Sequence, residues 1–493
     1  MSRFSSRWGM MLAMLGMAVG TGNIWRFPRI AASNGGGSFL VAWVVFLLLW
    51  SIPLILVEFA MGRETRYGLV GAFSRLVGRR FAWMGAWIAW VATAIMFYYS
   101  VVMGWTLRYF WGALSGELSG AAPGAVWEGF AWGSGVLGFH AVAMLLGAWV
   151  VAKGVKGIER AASVLIPSLF VLVVVLTIRA VTLPGAVDGL NFLFTPTWEG
   201  LSDHRVWLNA LTQNAWDTGA GWGLILTYAV YMRQREDTAL NAFMLGFGNN
   251  SVSLMAGILV LCTVFSIMPD AAAEITGAGN EGLTFIWVPQ LFNAMPGGRF
   301  FMTLFFLALL FAAWSSLIAM IEMATRVLVD GGLSRGRALA LVAGAGFLLG
   351  VPAATSIAGL EGATGEAWFQ NQDWVWGVGL MVSGLFFAIA VLRYGVTRFR
   401  EELINTEYSD IRIGAWWDWA IRLVVVQAVV LVVWWIAQFG TEDPWGRYGI
   451  WNTLVQWAVA LGLFLALNRW MVDRTHPEVA RDEPPEGRAG PTG

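Results

Sequence analysis

Long apolar segments alternate with short polar connections along almost the whole chain. About 20 consecutive apolar residues are enough to cross the hydrocarbon core of a membrane as an α-helix. The pattern predicts an all-α polytopic membrane protein with a single transmembrane domain over residues 1–473. It contains twelve spans, numbered in chain order: 8–31, 38–62, 83–113, 134–152, 160–182, 206–232, 239–268, 299–329, 337–352, 374–397, 415–438 and 449–471.

The charge of the polar connections changes from one connection to the next. Lys and Arg collect before span 1 and between even-numbered and odd-numbered spans, whereas the remaining connections are acidic. Cytoplasmic loops of membrane proteins are rich in Lys and Arg. We therefore expect an integral protein of the cell's inner membrane with both termini in the cytoplasm. Residues 474–493 are rich in Pro, Glu and Gly, and they predict a disordered cytoplasmic tail.

Composition agrees with lipid as the main surroundings of the chain. Hydrophobic residues make up 58% of the sequence and charged residues 13%, whereas soluble domains carry about 25% charged residues. The formal net charge is zero, so nothing indicates a nucleic-acid partner. The sequence brings together no metal-ligand cluster and no nucleophile–base pair, and we expect neither an enzyme nor an organic cofactor.

Glycine interrupts spans 1 and 6, in segments 16–23 and 217–223. Each Gly inside a helix costs about 1 kcal/mol relative to Ala. Close helix packing is one interpretation, because Gly16 and Gly20 form a pair of small residues four positions apart. The other is a pair of broken helices that form a solute site at the middle of the bilayer. The corresponding positions of the two segments in the two halves of the chain favour the second interpretation.

Several motifs resemble those of the neurotransmitter:sodium symporter family. They are GTGNIWRFP at 20–28, NGGG at 34–37, EFAMGR at 58–63, TYA at 227–229 and the serine pair at 315–316. The resemblance implies a bacterial member with the LeuT-type fold. It implies inverted repeats of five helices at 7–182 and 206–397, with helices 1 and 6 broken at the bilayer midplane, and two additional helices at 413–473. It also implies a sodium-coupled symporter that works by alternating access.

Two sodium sites follow from the resemblance. It assigns the first ion to Ala18, Asn23, Asp217 and Asn249, together with the substrate carboxylate. It assigns the second ion to Gly16, Val19, Ala312, Ser315 and Ser316. From the residues alone, ordinary bonds of the two serine hydroxyls back to their own helix are the favoured interpretation.

Asp217 departs from the pattern of the family, which usually has a Ser or Thr hydroxyl there. Relatives that need chloride bind it partly through a Tyr on helix 2, where this chain has Trp43, and a Ser on helix 7, here Ser253. We interpret Asp217 as a fixed negative charge that replaces chloride, so chloride is not expected. The alternative is a protonated, structural Asp that is hydrogen-bonded to Asn249 or Gln213.

The resemblance also implies a substrate site formed by ten residues: Ala18, Thr21, Gly22, Ile95, Tyr99, Trp216, Gly219, Trp222, Ser316 and Met320. Monoamine carriers of the family have an Asp where this chain has Gly20, which leaves room for a substrate that brings its own carboxylate. We therefore expect a small, apolar amino acid, carried by a monomer or a weak homodimer. A carrier of a non-α-amino acid, an osmolyte or an amine, and a non-transporting sensor or channel, are the alternatives.

Gates are the last assignment that the resemblance implies. Arg26 and Asp373 match the pair that closes the outer side, although Asp also suits a helix cap at the start of span 10. Tyr231 and Asp330 match inner-gate positions. We expect Glu58, an acidic residue inside span 2, to bind free backbone amides of the broken helices.

Overall fold

Helices provide all the regular structure in the described part of this computed structural model, which covers residues 3–120, 122–355 and 364–475. Within these ranges nine helices are long and apolar enough to cross a membrane: Gly37–Thr65, Arg79–Ser115, Gly135–Ala152, Gly154–Val181, Thr238–Ile267, Gly298–Asp330, Arg335–Ala354, Gly365–Tyr394 and Trp416–Gln438. A tenth, Ile450–Ala466, bends by 54° into Asn468–Thr475. These ten helices confirm spans 2–5 and 7–12. Most of the predicted tail, 476–493, lies outside the described residues.

Spans 1 and 6 are each divided into two helical halves. Span 1 consists of Arg7–Ala18, a π-helical turn Gly22–Arg26 and Phe27–Ser33. Span 6 consists of His204–Asp217 and Leu224–Ala229. Both breaks fall inside the predicted segments, so the interpretation as broken helices is confirmed. The division of the chain into two inverted repeats stays a prediction.

Glycine conformation explains the break in span 6. Gly219, Gly221 and Gly223 have φ angles of 70°, 87° and 80°. Residues with a Cβ atom rarely adopt this left-handed region, whereas Gly enters it at little cost. Three such residues at alternate positions stop the α-helix and prevent it from resuming before Leu224.

The break in span 1 depends on a side chain. Val19 has extended backbone (φ −73°, ψ 101°), which ends the first helical half of the span. The amide of Gly20 donates to Oδ1 of Asn23 at 2.8 Å, so it does not continue the helical ladder to Gly16. Asn23 therefore stabilises the break by taking the place of a backbone carbonyl.

Short helices and turns occupy the connections, and span 2 is locally irregular. The short helices are Leu69–Leu76, Pro123–Phe130, Ala186–Phe194, Trp198–Ser202, Ala272–Gly277, Gly279–Glu281 and Val288–Asn293. Further π-helical turns are Leu47–Ser51 in span 2, Gly282–Trp287 before span 8 and Arg400–Ile404 after span 10. The segment Gly279–Trp287 also reaches the central cavity described below through Asn280 and Glu281.

Span 2 supports the second helical half of span 6. Glu58 is completely buried, and its two oxygens accept from the amides of Gly221 at 2.7 Å and Leu226 at 3.1 Å. Four amides at a helix N-terminus lack partners within the helix, so this carboxylate caps the half-helix that starts at Leu224. Gly62 allows the close approach, since a Cβ there would lie 2.4 Å from the Leu226 carbonyl oxygen. The prediction for Glu58 is confirmed.

Replacing Glu58 by Ala is expected to destabilise the protein by about 1–3 kcal/mol for each buried amide that loses its acceptor. The measurement is the melting temperature of the detergent-purified protein. Glu64→Ala, an exposed position on the same helix, is the control and should melt with the wild type. Equal melting temperatures for the Glu58 and Glu64 variants would show that the cap does not stabilise span 6.

Candidate functional site

The breaks in spans 1 and 6 line one cavity of about 410 Å³. All ten residues assigned to the substrate are among its walls: Ala18, Thr21, Gly22, Ile95, Tyr99, Trp216, Gly219, Trp222, Ser316 and Met320. The structure thus brings together residues from spans 1, 3, 6 and 8. Their role in substrate binding stays a prediction.

One part of the cavity wall is polar. The hydroxyl of Tyr99 accepts from the backbone amide and the hydroxyl of Thr21, both at 3.3 Å. A Cβ atom at Gly20 would lie 2.8 Å from Ser316 Oγ and 3.2 Å from Tyr99 Oη. A longer side chain at position 20 would therefore displace these hydroxyls. Gly20 keeps the polar wall open to a solute.

Aromatic and aliphatic side chains form much of the remaining wall. The rings of Trp216 and Trp222 lie edge to face, with centroids 5.9 Å apart and planes at 73°. The indole N–H of Trp222 donates to the Ala215 carbonyl at 3.2 Å. Because that donor is already used, the Trp222 ring offers the cavity its apolar surface. Ile95 and Met320 add aliphatic surface from spans 3 and 8.

Asp217 belongs to a buried polar cluster beside the cavity. Its Oδ2 accepts from Ser253 Oγ at 2.7 Å. The side-chain amide of Asn23 donates to Ser253 Oγ at 2.8 Å and to Asn249 Oδ1 at 2.9 Å. The structure therefore joins three of the four residues assigned to the first sodium ion, and Ala18 lines the same cavity.

The other carboxylate oxygen of Asp217, Oδ1, lacks a hydrogen-bond partner among the described residues. It is buried, and it lies on the side of Gly22, where a Cβ would be 3.6 Å away. Buried polar atoms are normally paired, and a carboxylate in the membrane needs a partner or a proton. Such an oxygen suits a hard cation, which prefers oxygen ligands.

Residues assigned to the second sodium ion meet where span 1 contacts span 8. A Cβ at Gly16 would lie 3.3 Å from Ser315 Cβ. Ser315 Oγ donates back to the Ala312 carbonyl at 3.0 Å, whereas Ser316 Oγ donates across to the Met17 carbonyl at 3.4 Å. The ordinary back-bond is thus present for Ser315 only. Val19 lies at the end of the first helical half of span 1, three residues after Gly16. The ion-binding role of all five residues stays a prediction.

The predicted outer-gate residues have separate partners. Arg26 Nη1 donates to Gln213 Oε1 at 2.6 Å, and its guanidinium lies 5.4 Å from the Trp216 ring. Asp373 accepts from the Tyr98 hydroxyl at 3.0 Å. Arg26 and Asp373 both line the cavity, without forming an ion pair. The cap interpretation of Asp373 is wrong, because the helix of span 10 begins at Gly365 and Thr364 is its cap.

The two predicted inner-gate residues have different hydrogen-bond partners but share Arg326, whose guanidinium lies 5.6 Å from the centroid of the Tyr231 ring. Asp330 pairs with Arg326 at 2.8 Å and accepts from the Gly68 amide at 2.6 Å. The Tyr231 hydroxyl donates to Glu322 at 2.6 Å. The resemblance identifies the two positions but not these partners.

Other residues at these regions carry no recognisable signal in the sequence. Arg29 lines the cavity and donates to Asn280 Oδ1 at 2.8 Å. Phe4 is buried, its ring lies against Tyr231, and its amide donates to the Tyr231 carbonyl at 3.2 Å. Asn280 and Phe4 lie outside the spans, where hydrophobic periodicity gives no information on neighbours.

Comparisons with known proteins agree with this architecture. The model of the sodium:neurotransmitter symporter family matches residues 1–131 and 132–476. An uncharacterised sodium-dependent transporter of Methanocaldococcus jannaschii is 31% identical over 462 residues, covering 87% of this chain and 89% of that protein. Another, from Bacillus subtilis, is 31% identical over 443 residues, covering 87% of this chain and 96% of that protein.

A solved structure extends the similarity to three dimensions. The crystal structure of MhsT in complex with L-phenylalanine matches with a TM-score of 0.76 and 30% sequence identity, covering 88% of this chain and 99% of that chain. Motifs, broken helices and relatives therefore agree. The chain belongs to the sodium:neurotransmitter symporter family, and it is an integral-membrane, sodium-dependent transporter of a small molecule rather than an enzyme.

Proposed function

We propose that this transporter imports an amino acid with an apolar side chain, together with two sodium ions, by alternating access. The observation that carries the proposal is the cavity at the two helix breaks. It has a polar wall at Thr21 and Tyr99, and aromatic and aliphatic surface at Trp216, Trp222 and Met320. A zwitterionic head group and an apolar side chain together match such a cavity.

The ends of the half-helices supply the groups that a zwitterion needs. The outer half of span 1 resumes at Gly22, and free amides at a helix start favour a carboxylate. The inner half of span 1 ends at Ala18 and the outer half of span 6 ends at Asp217. Free carbonyls at helix ends favour an ammonium group or a sodium ion. L-Phenylalanine in MhsT supports an amino acid as the substrate class.

Asp217 is the basis for proposing chloride-independent transport. Its carboxylate lies within the cluster of Asn23, Asn249 and Ser253, and Oδ1 is free of hydrogen bonds among the described residues. A fixed negative charge beside a sodium ion offsets the ion's charge in surroundings of low dielectric constant. An additional anion would then face repulsion from the carboxylate.

We place the protein in the inner membrane of the cell. The distribution of basic residues supports an orientation with both termini in the cytoplasm. Two connections on the same side of the membrane are basic: one contains Arg75, Arg79 and Arg80, and the other contains Lys153, Lys156 and Arg160. Solute that enters from the opposite side then moves inward with the sodium gradient. The proposal requires one chain, as a monomer or in a weak homodimer, because a single chain supplies the whole cavity.

Purified protein is expected to be stabilised by apolar amino acids only when sodium is present. A ligand at 100 times its dissociation constant should add about 2.7 kcal/mol to the free energy of unfolding. The measurement is a thermal-shift screen of all amino acids, common amines and osmolytes, in sodium and in potassium. Gly20→Ala should weaken the best ligand about tenfold, which corresponds to about 1.4 kcal/mol, because its Cβ displaces Ser316 and Tyr99.

Gly138→Ala is the matched control for that variant, since nothing lies within 4 Å of a Cβ at position 138. Saturable, sodium-dependent uptake of the same ligand into proteoliposomes distinguishes a carrier from a sensor or channel. Stabilisation by amines or osmolytes alone would contradict the amino-acid proposal, as would stabilisation that is equal in both salts.

Uptake by the wild type is expected to be equal in chloride and gluconate media at constant sodium. Asp217→Ser removes the fixed charge, so uptake in gluconate should fall about tenfold or more. A tenfold loss corresponds to a charged partner that contributes about 1.4 kcal/mol to binding. Chloride should partly restore it. Asp188→Ser, which removes an exposed carboxylate, serves as the control. A strict chloride requirement of the wild type would refute the role of Asp217.

A further inference from the structure

The indole of Trp216 lies directly against bare backbone of span 10. A Cβ atom at Gly377 would be 2.2 Å from Cζ2 of Trp216, 3.0 Å from Cη2 and 3.3 Å from Cε2. Carbon atoms that are not bonded to each other pack at about 3.5–4.0 Å. The six-membered ring of Trp216 therefore occupies space that exists only because residue 377 is Gly.

Two other side chains, Trp222 and Arg26, also contact the Trp216 ring. The ring of Trp222 lies edge to face at 5.9 Å, and the guanidinium of Arg26 lies 5.4 Å from the Trp216 centroid. Trp216 and Gly377 both line the cavity. If the Trp216 ring is displaced from Gly377 while Trp222 and Arg26 stay in place, the ring can move into the cavity.

We infer that Gly377 is a specificity-determining residue, which sets the largest substrate side chain by fixing how far Trp216 extends into the cavity. The inference rests on the proposed function, because it concerns the size of the bound amino acid. With Gly at 377 the indole stays against span 10, and amino acids with large apolar side chains, aromatic ones included, are admitted. A methyl group at 377 moves the indole into the volume that those side chains need.

The test compares four probes on the full-length purified protein in sodium: L-alanine, L-valine, L-phenylalanine and L-tryptophan. Their dissociation constants are measured for the wild type and for Gly377→Ala. We expect Gly377→Ala to weaken L-phenylalanine and L-tryptophan about tenfold or more, within the range that one methylene contributes to discrimination in an apolar pocket. L-Alanine binding should change by less than about threefold, because its side chain does not reach the displaced ring.

A matched control separates this effect from general strain in span 10. Gly384 lies seven residues further along the same helix, and a Cβ there would be 2.9 Å from Cζ2 of Trp50. Gly384 and Trp50 are not among the residues that line the cavity. Gly384→Ala therefore introduces a similar clash with an indole, and it should affect small and large ligands equally.

The double variant Gly377→Ala/Trp216→Phe should restore binding of the large ligands, because Phe lacks the ring atoms that clash. Trp216→Phe alone leaves Gly377 unchanged and so introduces no clash. It should raise the affinity for L-tryptophan relative to L-alanine. The inference is overturned if the ratio of large-ligand to L-alanine affinity is unchanged in both Gly377→Ala and Trp216→Phe. It is also overturned if Gly384→Ala reproduces the selectivity change. A wild type that binds none of the four probes overturns the proposed function first, and the inference with it.

Discussion

Backbone groups that lose their helical partners inside the membrane constrain the rest of the structure. An unpaired amide or carbonyl in hydrocarbon is costly, so irregular backbone is tolerated only where protein or a polar cavity supplies partners. Asn23 provides a partner for Gly20, and Glu58 provides partners for Gly221 in the break of span 6 and for Leu226 in the helix that follows it. The carbonyl and amide ends that remain at the two breaks lie around the central cavity, and in the proposed function the solute and the ions complete their coordination there.

Much of the fold follows from local sequence properties. Apolar length predicts spans such as Thr238–Ile267, because lipid requires a continuous helix of that length. The glycines at 219, 221 and 223 predict the break in span 6, because their backbone conformation excludes other residues. The predicted start of span 10, residue 374, is nine residues later than the observed start at Gly365, because the residues around Gln370 and Asp373 are polar although they are helical. Polar residues that face a cavity are hard to distinguish from a loop by hydropathy.

The pairing of charged residues was much less predictable than their positions. Arg26 and Asp373 line the same cavity, yet Gln213 and Tyr98 are their hydrogen-bond partners. Sequence spacing defines the face of a helix on which a residue lies, but it does not define which neighbouring helix turns a matching donor towards it. The proposed alternating access adds a further reason, because a gate that opens and closes must exchange partners between states. Gate pairs therefore cannot be derived from one sequence without reference to the conformation.

The proposed coupling between sodium and solute has its physical basis in the same shortage of partners at the breaks. Ala18 and Asp217 end two half-helices, so carbonyl ends and a buried carboxylate converge on one cavity. A zwitterion brings its own carboxylate towards this negative region, where like charges repel strongly because the dielectric constant is low. In the proposed mechanism a sodium ion at Asn23 and Asp217 removes that repulsion, and the substrate carboxylate in turn improves the ion's site. Each ligand then raises the affinity for the other by the same factor, which is how a sodium gradient does work on the solute.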